Sequence, residues 1–285
     1  MRLGIGYGLL SALRWFPRFR GKHRLASRMS GWLPDRADVV VRGPDGSHFL
    51  VPSLKEPIAF EILIHGNYEA DTLKFIKRHL RRGDTFIDVG ANIGAFALPA
   101  SRIVGPTGRV FAVEASARVF PYLESNLRTN GVTNVTAIHG AAGVQDGGEL
   151  TFFDAPPQKF GMGSRAPWNE EKGYTVAARS IDTVLGESGT GNGRVRLLKI
   201  DVEGFELDVL RGATALLNGP SPPIVVFEFI DWAERRAGTQ LGDAQRYLIA
   251  AGFTLHTLSA YSAGGPELKN IITEGAEMLV ATKHS

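Results

Sequence analysis

The chain reads as an α/β protein built on a mostly parallel sheet, and three stretches predict it. Phe86, Ile87 and Val89 form a short apolar run that stops at Gly90, as in a strand buried on both faces. Ile93, Ala95, Phe96, Ala97, Leu98 and Ala100 then suit a helix packed on that sheet, with Pro99 as a point where it can kink. Val110, Phe111, Ala112 and Val113 repeat the apolar run and end in Glu114. Strand, glycine turn, helix and strand in this order put a small-molecule crevice at the carboxyl edge of the sheet.

The turn carries its own chemistry. A dinucleotide fingerprint, G-x-G-x-x-G, offers bare backbone N–H groups to pyrophosphate. Here Asp88-Val89-Gly90-Ala91-Asn92-Ile93-Gly94 lacks that glycine set and places a carboxylate two residues before Gly90. An anion at that point repels phosphate and attracts a cationic ligand. S-adenosylmethionine, with its sulfonium and ammonium groups, fits this electrostatics. Glu114 lies about 20 residues beyond Gly94, the spacing at which an acid accepts the hydroxyls of a ribose. A nicotinamide-dependent oxidoreductase is the competing reading of the glycine turn and Glu114, but it leaves Asp88 unexplained.

Composition sets the frame. The 285 residues are 44% hydrophobic and 21% charged, which fits an ordinary globular protein. The length suits one core domain at 61–285 with an N-terminal extension at 1–60. The formal charge of +3 gives no reason to expect nucleic acid as a partner, and the absence of cysteine excludes disulfides and thiolate metal sites. No apolar run is long enough to span a bilayer, and the start is too short and glycine-rich for a signal peptide, so the cytoplasm is the default compartment.

From Leu3 to Met29, Leu10, Trp15, Phe16 and Phe19 mix with Arg14, Arg18, Arg20, Lys22 and Arg24. Such a basic amphipathic arm can lie on an anionic membrane, cover an acceptor site, or pack on its own domain or on a second subunit in a homodimer. Alternation from Asp38 to Pro52 around Gly43-Pro44-Asp45-Gly46 predicts a β-hairpin. Glu69 to Arg82 reads as a helix ending before Gly83, with Asn67 as a candidate cap; alternatively Tyr68 and Glu69 lean over the cofactor. Val119 to Thr129 is a further helix and Val135 to Ile138 a third strand. The small residues of His139-Gly140-Ala141-Ala142 would admit a flat adenine at the sheet edge. Leu150 to Phe153 and Tyr174 to Ala178 read as added strands around a Pro- and Gly-rich insertion at about 154–173, a length that usually serves function. Val195 to Asp201 is a fourth core strand, followed by a helix through Leu217. Ile224 to Phe229 is a fifth strand, and Phe253 to Leu258 with Glu277 to Thr282 forms a closing antiparallel pair.

Lys199, Asp201 and Glu203 recur with period two, so they share one side of an extended chain. A lysine inside an apolar strand is costly unless paired, and Glu228 on the next strand is the expected partner. Asp201 caps the strand expected beside Asp88, at the edge of the crevice.

Taken together, Asp88-Val89-Gly90-Ala91-Asn92-Ile93-Gly94, Glu114, the Asn126 to Asn130 region, Arg179-Ser180-Ile181-Asp182, Lys199-Ile200-Asp201-Val202-Glu203-Gly204-Phe205-Glu206 and Glu228 resemble the FkbM family of S-adenosylmethionine-dependent methyltransferases. The resemblance covers about Gly66 to Glu228. It implies a Rossmann-like class I methyltransferase sheet, seven-stranded and mostly parallel with an antiparallel last strand. It also implies O-methylation of a hydroxyl on a sugar, glycolipid or secondary metabolite, so the expected partner is a small-molecule or glycan acceptor. A methyltransferase fold that only binds glycolipid or a partner is the alternative outside catalysis. The expected cofactor residues are Tyr68, Glu69, Asp88, Gly90, Ala91, Asn92, Gly94, Glu114, Ala115, Ala141 and Asp201. An acceptor hydroxyl must lose its proton, and Glu203, Glu228, Asp201 and His139 are the candidate bases, with Asp201 also able to hold the methionine end of the cofactor. No His, Asp or Glu spacing states a metal site, and none is assigned.

Overall fold

The computed structural model describes residues 10–13, 25, 26, 28, 33, 38–43, 45–144, 146–156, 159–168, 172–189 and 195–283. Most of the basic arm therefore lies outside the described residues. Of its described positions, Leu10 and Ala26 are fully buried in the core.

The hairpin forms as β1 (Val39–Arg42) and β2 (His48–Val51), antiparallel. It is tied to helix Phe120–Thr129, where Asn126 and Asn130 accept from the backbone N–H groups of Leu50 and His48 at 2.6 and 2.9 Å. A helix at Pro57–His65 was not expected from the pattern, and it contains the boundary drawn at residue 60. Its start is written in Glu56-Pro57: the Glu56 carboxylate accepts from the N–H groups of Ile58 and Ala59, and Pro57 takes the first turn, where no N–H is needed. The next helix, Ala70–His79, is preceded by Glu69 in left-handed backbone, and Asn67 does not cap it.

The central sheet has seven strands: β3 (Thr85–Val89), β4 (Arg109–Glu114), β5 (Val135–His139), β9 (Val195–Ile200), β10 (Ile224–Ile230), β11 (Thr254–Thr257) and β12 (Ala276–Thr282), with order β11-β12-β10-β9-β3-β4-β5. All neighbours are parallel except β12, which runs antiparallel to β10 and β11. Three short strands, β6 (Ala141–Ala142), β7 (Glu149–Phe152) and β8 (Tyr174–Arg179), make a separate small sheet.

The period-two alternation sorts the strands onto two cores. Phe86, Val110, Ala112, Leu197, Val226 and Val280 face a layer with the hairpin and the helices Pro57–His65, Ala97–Val104 and Phe120–Thr129. Ile87, Val89, Phe111, Val113, Leu198 and Phe227 face the helices Ile181–Ser188, Glu206–Arg211 and Asp243–Ala250. Both faces are covered, which is why these strands read as continuous apolar runs. Pro99 falls at the third position of its helix, where the missing N–H breaks no bond. The helix expected through Leu217 is two short ones, Glu206–Arg211 and Thr214–Leu217.

Candidate active site

The strands β3, β4, β9 and β10 all end at one edge, and a cleft of about 1140 Å³, including its open mouth, lies over that edge. Its floor is set by two backbone approaches. Gly90 has φ +75° and lies so close to the next strand that a Cβ there would sit 1.8 Å from the Asp201 carbonyl oxygen. The amide of Asp201 donates to the Val89 carbonyl at 3.1 Å, while Gly90 and Ala91 both donate to Val113. The glycine is thus needed to bring Asp201 against the turn.

Glu114 ends β4 inside the cleft. Its carboxylate accepts from the backbone N–H of Asn92 at 2.8 Å and of Ser116 at 2.8 Å. Burial pushes its pKa up to about 7, although those two donors pull it down. Asn92 is in left-handed backbone at φ 52°, and its side-chain amide donates to the Gly161 carbonyl at 3.0 Å. Ala115, Ala141, Ala142 and Phe152 line the cleft on this side with small and flat surfaces.

The other end is acidic. Lys199 lies opposite Asp88 in the β3–β9 register, and both are essentially buried. The Lys199 Nζ is 3.0 Å from Asp201 Oδ2 and 3.8 Å from Asp88 Oδ1, and it lies 5.0 Å above the Phe96 ring. The partner expected from sequence, Glu228, is not an ion-pair partner of Lys199. The parallel register places Val226 beside Lys199, so Glu228 lies two residues further along, where its carboxyl meets Asp201. Burial disfavours the ammonium, yet Asp201, Asp88 and Glu69 outweigh it and raise its pKa above that of an ordinary lysine. Burial raises Asp88 to about 6 against the pull of Lys199.

Asp201, Glu203 and Glu228 present carboxylate oxygens within 4.8 Å of one another. Sequence spacing assigned no metal, but the fold gathers here a donor set that spacing did not reveal. Glu203 is in left-handed backbone at φ 56°, which turns its side chain into the cleft, and its Oε2 has no hydrogen-bond partner. Burial, then Asp201 and Glu206, push Glu203 up to about 8. Glu228 is raised further, by burial and then by Asp201 and Glu203. Tyr68 lines the same end, its hydroxyl pKa raised by burial and by Glu69, Asp201 and Glu228.

The fold therefore brings together Tyr68, Gly90, Ala91, Asn92, Glu114, Ala115, Ala141, Asp201, Glu203 and Glu228. Asp88 lies beneath Lys199, and Gly94 and Glu69 lie outside the lining. His139 also lies outside it, at the end of edge strand β5 with its ring stacked on Phe120 at 4.8 Å, and so drops out as a base. The insertion covers the cleft: Gly161, Met162, Gly163 and Arg165 line it, and Ser164 Oγ donates to the Glu203 carbonyl at 3.0 Å. Sequence reasoning missed Glu56, Arg165 and Phe205 in the lining. Only Glu56 had a readable signal, the cap it makes with Pro57.

A seven-stranded sheet of this order, with an acid ending β4 and a second acidic group ending β9, defines the class I S-adenosylmethionine-dependent methyltransferase architecture. The model of the methyltransferase FkbM domain matches residues 88–255, and the chain belongs to that family. It is 28% identical over 160 residues to the hexuronic acid methyltransferase AglP of Haloferax volcanii, covering 55% of this chain and 61% of that protein. It is 31% identical over 147 residues to Methyltransferase 1 of Beauveria bassiana, covering 45% of this chain and 58% of that protein. The chain thus spans about three fifths of the length of these curated relatives. Among solved structures, it is similar to an S-adenosylmethionine-dependent O-methyltransferase of Thermotoga maritima, 19% identical, with a TM-score of 0.44 over 90% of this chain and 81% of that one. Among the described residues, no helix is long and apolar enough to cross a membrane.

Proposed function

We propose that the protein transfers the methyl group of S-adenosylmethionine to a hydroxyl of a sugar, glycolipid or secondary metabolite. One observation carries this reading: a single cleft holds Glu114 at a small-residue end and the Asp201, Glu203 and Glu228 carboxylates at the other, with Lys199 as the cation among them. Such a donor set fits a ligand with a ribose at one end and positive charge at the other. When bound, S-adenosylmethionine supplies a methyl group already activated on a sulfonium.

The protein's own part is alignment and proton transfer. Glu114, held by two backbone N–H groups, keeps free lone pairs for ribose hydroxyls. Ala115, Ala141 and Ala142 leave room for the adenine beside Phe152. Asp201 and Tyr68 hold the methionine end. Glu203 is the base: its Oε2 has no partner, and with a pKa of about 8 its ionised fraction takes the hydroxyl proton as the oxygen–carbon bond forms, so turnover should rise with pH toward about 8. Gly161, Met162, Gly163 and Arg165 lie over the cleft and shield part of it from water. The hexuronic acid named for AglP supports an acceptor built on a sugar.

The test is incubation of the protein with methyl-labelled S-adenosylmethionine and an extract of its source organism, followed by identification of the labelled product. Label on a hydroxyl oxygen, reduced strongly by Glu203→Gln, is the expected result. Label on carbon or nitrogen, or a folded sample that binds NAD and not S-adenosylhomocysteine, overturns it.

A further inference from the structure

Beside Glu203, outside the lining of the cleft, two cations and two indoles meet. Arg236 comes from helix Asp231–Ala237, with its guanidinium carbon 4.0 Å from the Trp168 ring centre and 5.1 Å from that of Trp232. The Lys159 ammonium lies 4.4 Å above the Trp168 ring. The indoles are 5.6 Å apart and tilted by 53°. Trp168 is fixed by its Nε1–H donating to the Met162 carbonyl at 2.9 Å, and Met162 itself lines the cleft.

Stacking accounts for the faces of the Arg236 guanidinium but not for its edges. Its Nε and both Nη atoms are shielded from water and have no hydrogen-bond partner. Among the described residues no carboxylate forms an ion pair with Arg236 or Lys159. Arg165, the cation that lines the cleft nearby, is different: it pairs with Asp208 at 2.5 Å and stacks on Phe205. Glu203 feels both Arg236 and Lys159, but its Oε2 bonds neither. Two like charges thus share one aromatic platform, and a planar fork of donors is left without an acceptor.

We propose that this rim takes an acceptor whose ring carries a carboxylate, held by Arg236 and Lys159 with the ring against the exposed part of Trp232 and its hydroxyl directed at Glu203. This inference rests on the methyltransferase reading above. A carboxylate matches the guanidinium fork in plane and offers two acceptor oxygens, and it relieves the repulsion between the two cations. Trp232 is 39% exposed, so part of its ring is open to the apolar face of a sugar. The acidic floor and the cationic rim together fix polarity: a neutral hydroxyl faces the carboxylates and the anionic group faces outward. Entry requires the segment carrying Lys159 and Trp168 to part from helix Asp231–Ala237, which exposes the edges of Arg236 to the incoming group.

Ligand-observed NMR titrations of the full chain with methyl β-D-glucuronide and methyl β-D-glucoside, without cofactor, compare two rings that differ in the carboxylate. The glucuronide should bind about tenfold tighter, the effect expected of a charge-assisted pair. Arg236→Gln should abolish the difference and Arg236→Lys should keep part of it, both leaving S-adenosylhomocysteine affinity unchanged. Equal affinity for the two glycosides, binding of neither, or a preference that survives Arg236→Gln overturns the site. Failure of the wild-type protein to bind S-adenosylhomocysteine sinks the methyltransferase reading instead, and the glycoside comparison is scored independently of it.

Discussion

Replacing Glu203 with glutamine changes how stability depends on pH, and the size of the change follows from its surroundings. The side chain is 8% exposed, its Oε2 is unpartnered, and its pKa is about 8 against an ordinary value near 4.5. The pKa is raised in the folded state, so the folded protein holds a proton that the unfolded chain has released at any pH between these values. That contribution to stability is complete below about 4.5 and is lost as pH rises through about 8. Between pH 6 and 9 the group releases its proton over about two units, so Glu203 alone removes about 2–3 kcal/mol. Glu114 and Glu206, raised to about 7, titrate in the same direction and add to the fall. Glutamine keeps the shape without the proton, so the variant should lose about 2–3 kcal/mol less than wild type over this range. Urea unfolding of both proteins at the two pH values measures the difference. Equal losses would refute the reasoning, because they would show Glu203 ionised in the folded protein near neutral pH.

Two further substitutions probe the floor of the cleft. Gly90→Ala places a methyl group 1.8 Å from the Asp201 carbonyl oxygen in left-handed backbone, so it should cost on the order of 3 kcal/mol or more in urea unfolding; a wild-type midpoint would contradict the close approach. Lys199→Met removes the cation between Asp88 and Asp201 and should cost about 3–5 kcal/mol. The loss should be largest above about pH 6, where Asp88 is ionised and left without its cation, and a thermal melt unchanged across pH would count against this pairing.

The sheet was legible because its strands are buried on both faces. The Phe86–Val89, Val110–Val113, Val195–Ile200 and Ile224–Phe229 runs are mostly apolar and buried, and Val89, Val113, Asp201 and Glu228, at or next to their ends, line the crevice. The same property hid helix Pro57–His65. Ile58, Ala59, Phe60, Ile62, Leu63 and Ile64 are all buried, so it has no polar face to show a helical period. The Lys199 pairing went astray because residue spacing does not give register. Lys199 sits directly beside Asp88, and only the strand pairing shows that Glu228 lies two residues beyond the position opposite Lys199. His139 was misplaced for a related reason: its strand is an edge strand, and its side chain finds Phe120 outside the cleft. Arg236 and Trp232 were invisible because they meet Lys159 and Trp168 only through the folded insertion, more than 60 residues away in sequence.

Calorimetric titration of wild type and of Glu114→Gln with S-adenosylhomocysteine shows whether the cleft holds the cofactor through Glu114. Glutamine preserves the side-chain shape but weakens acceptance from the ribose hydroxyls. Wild-type protein should bind at one site per chain, and the variant more weakly by about 1–3 kcal/mol, the usual cost of a lost charged hydrogen bond. No heat of binding to folded wild-type protein, or equal affinity in the two proteins, would contradict it.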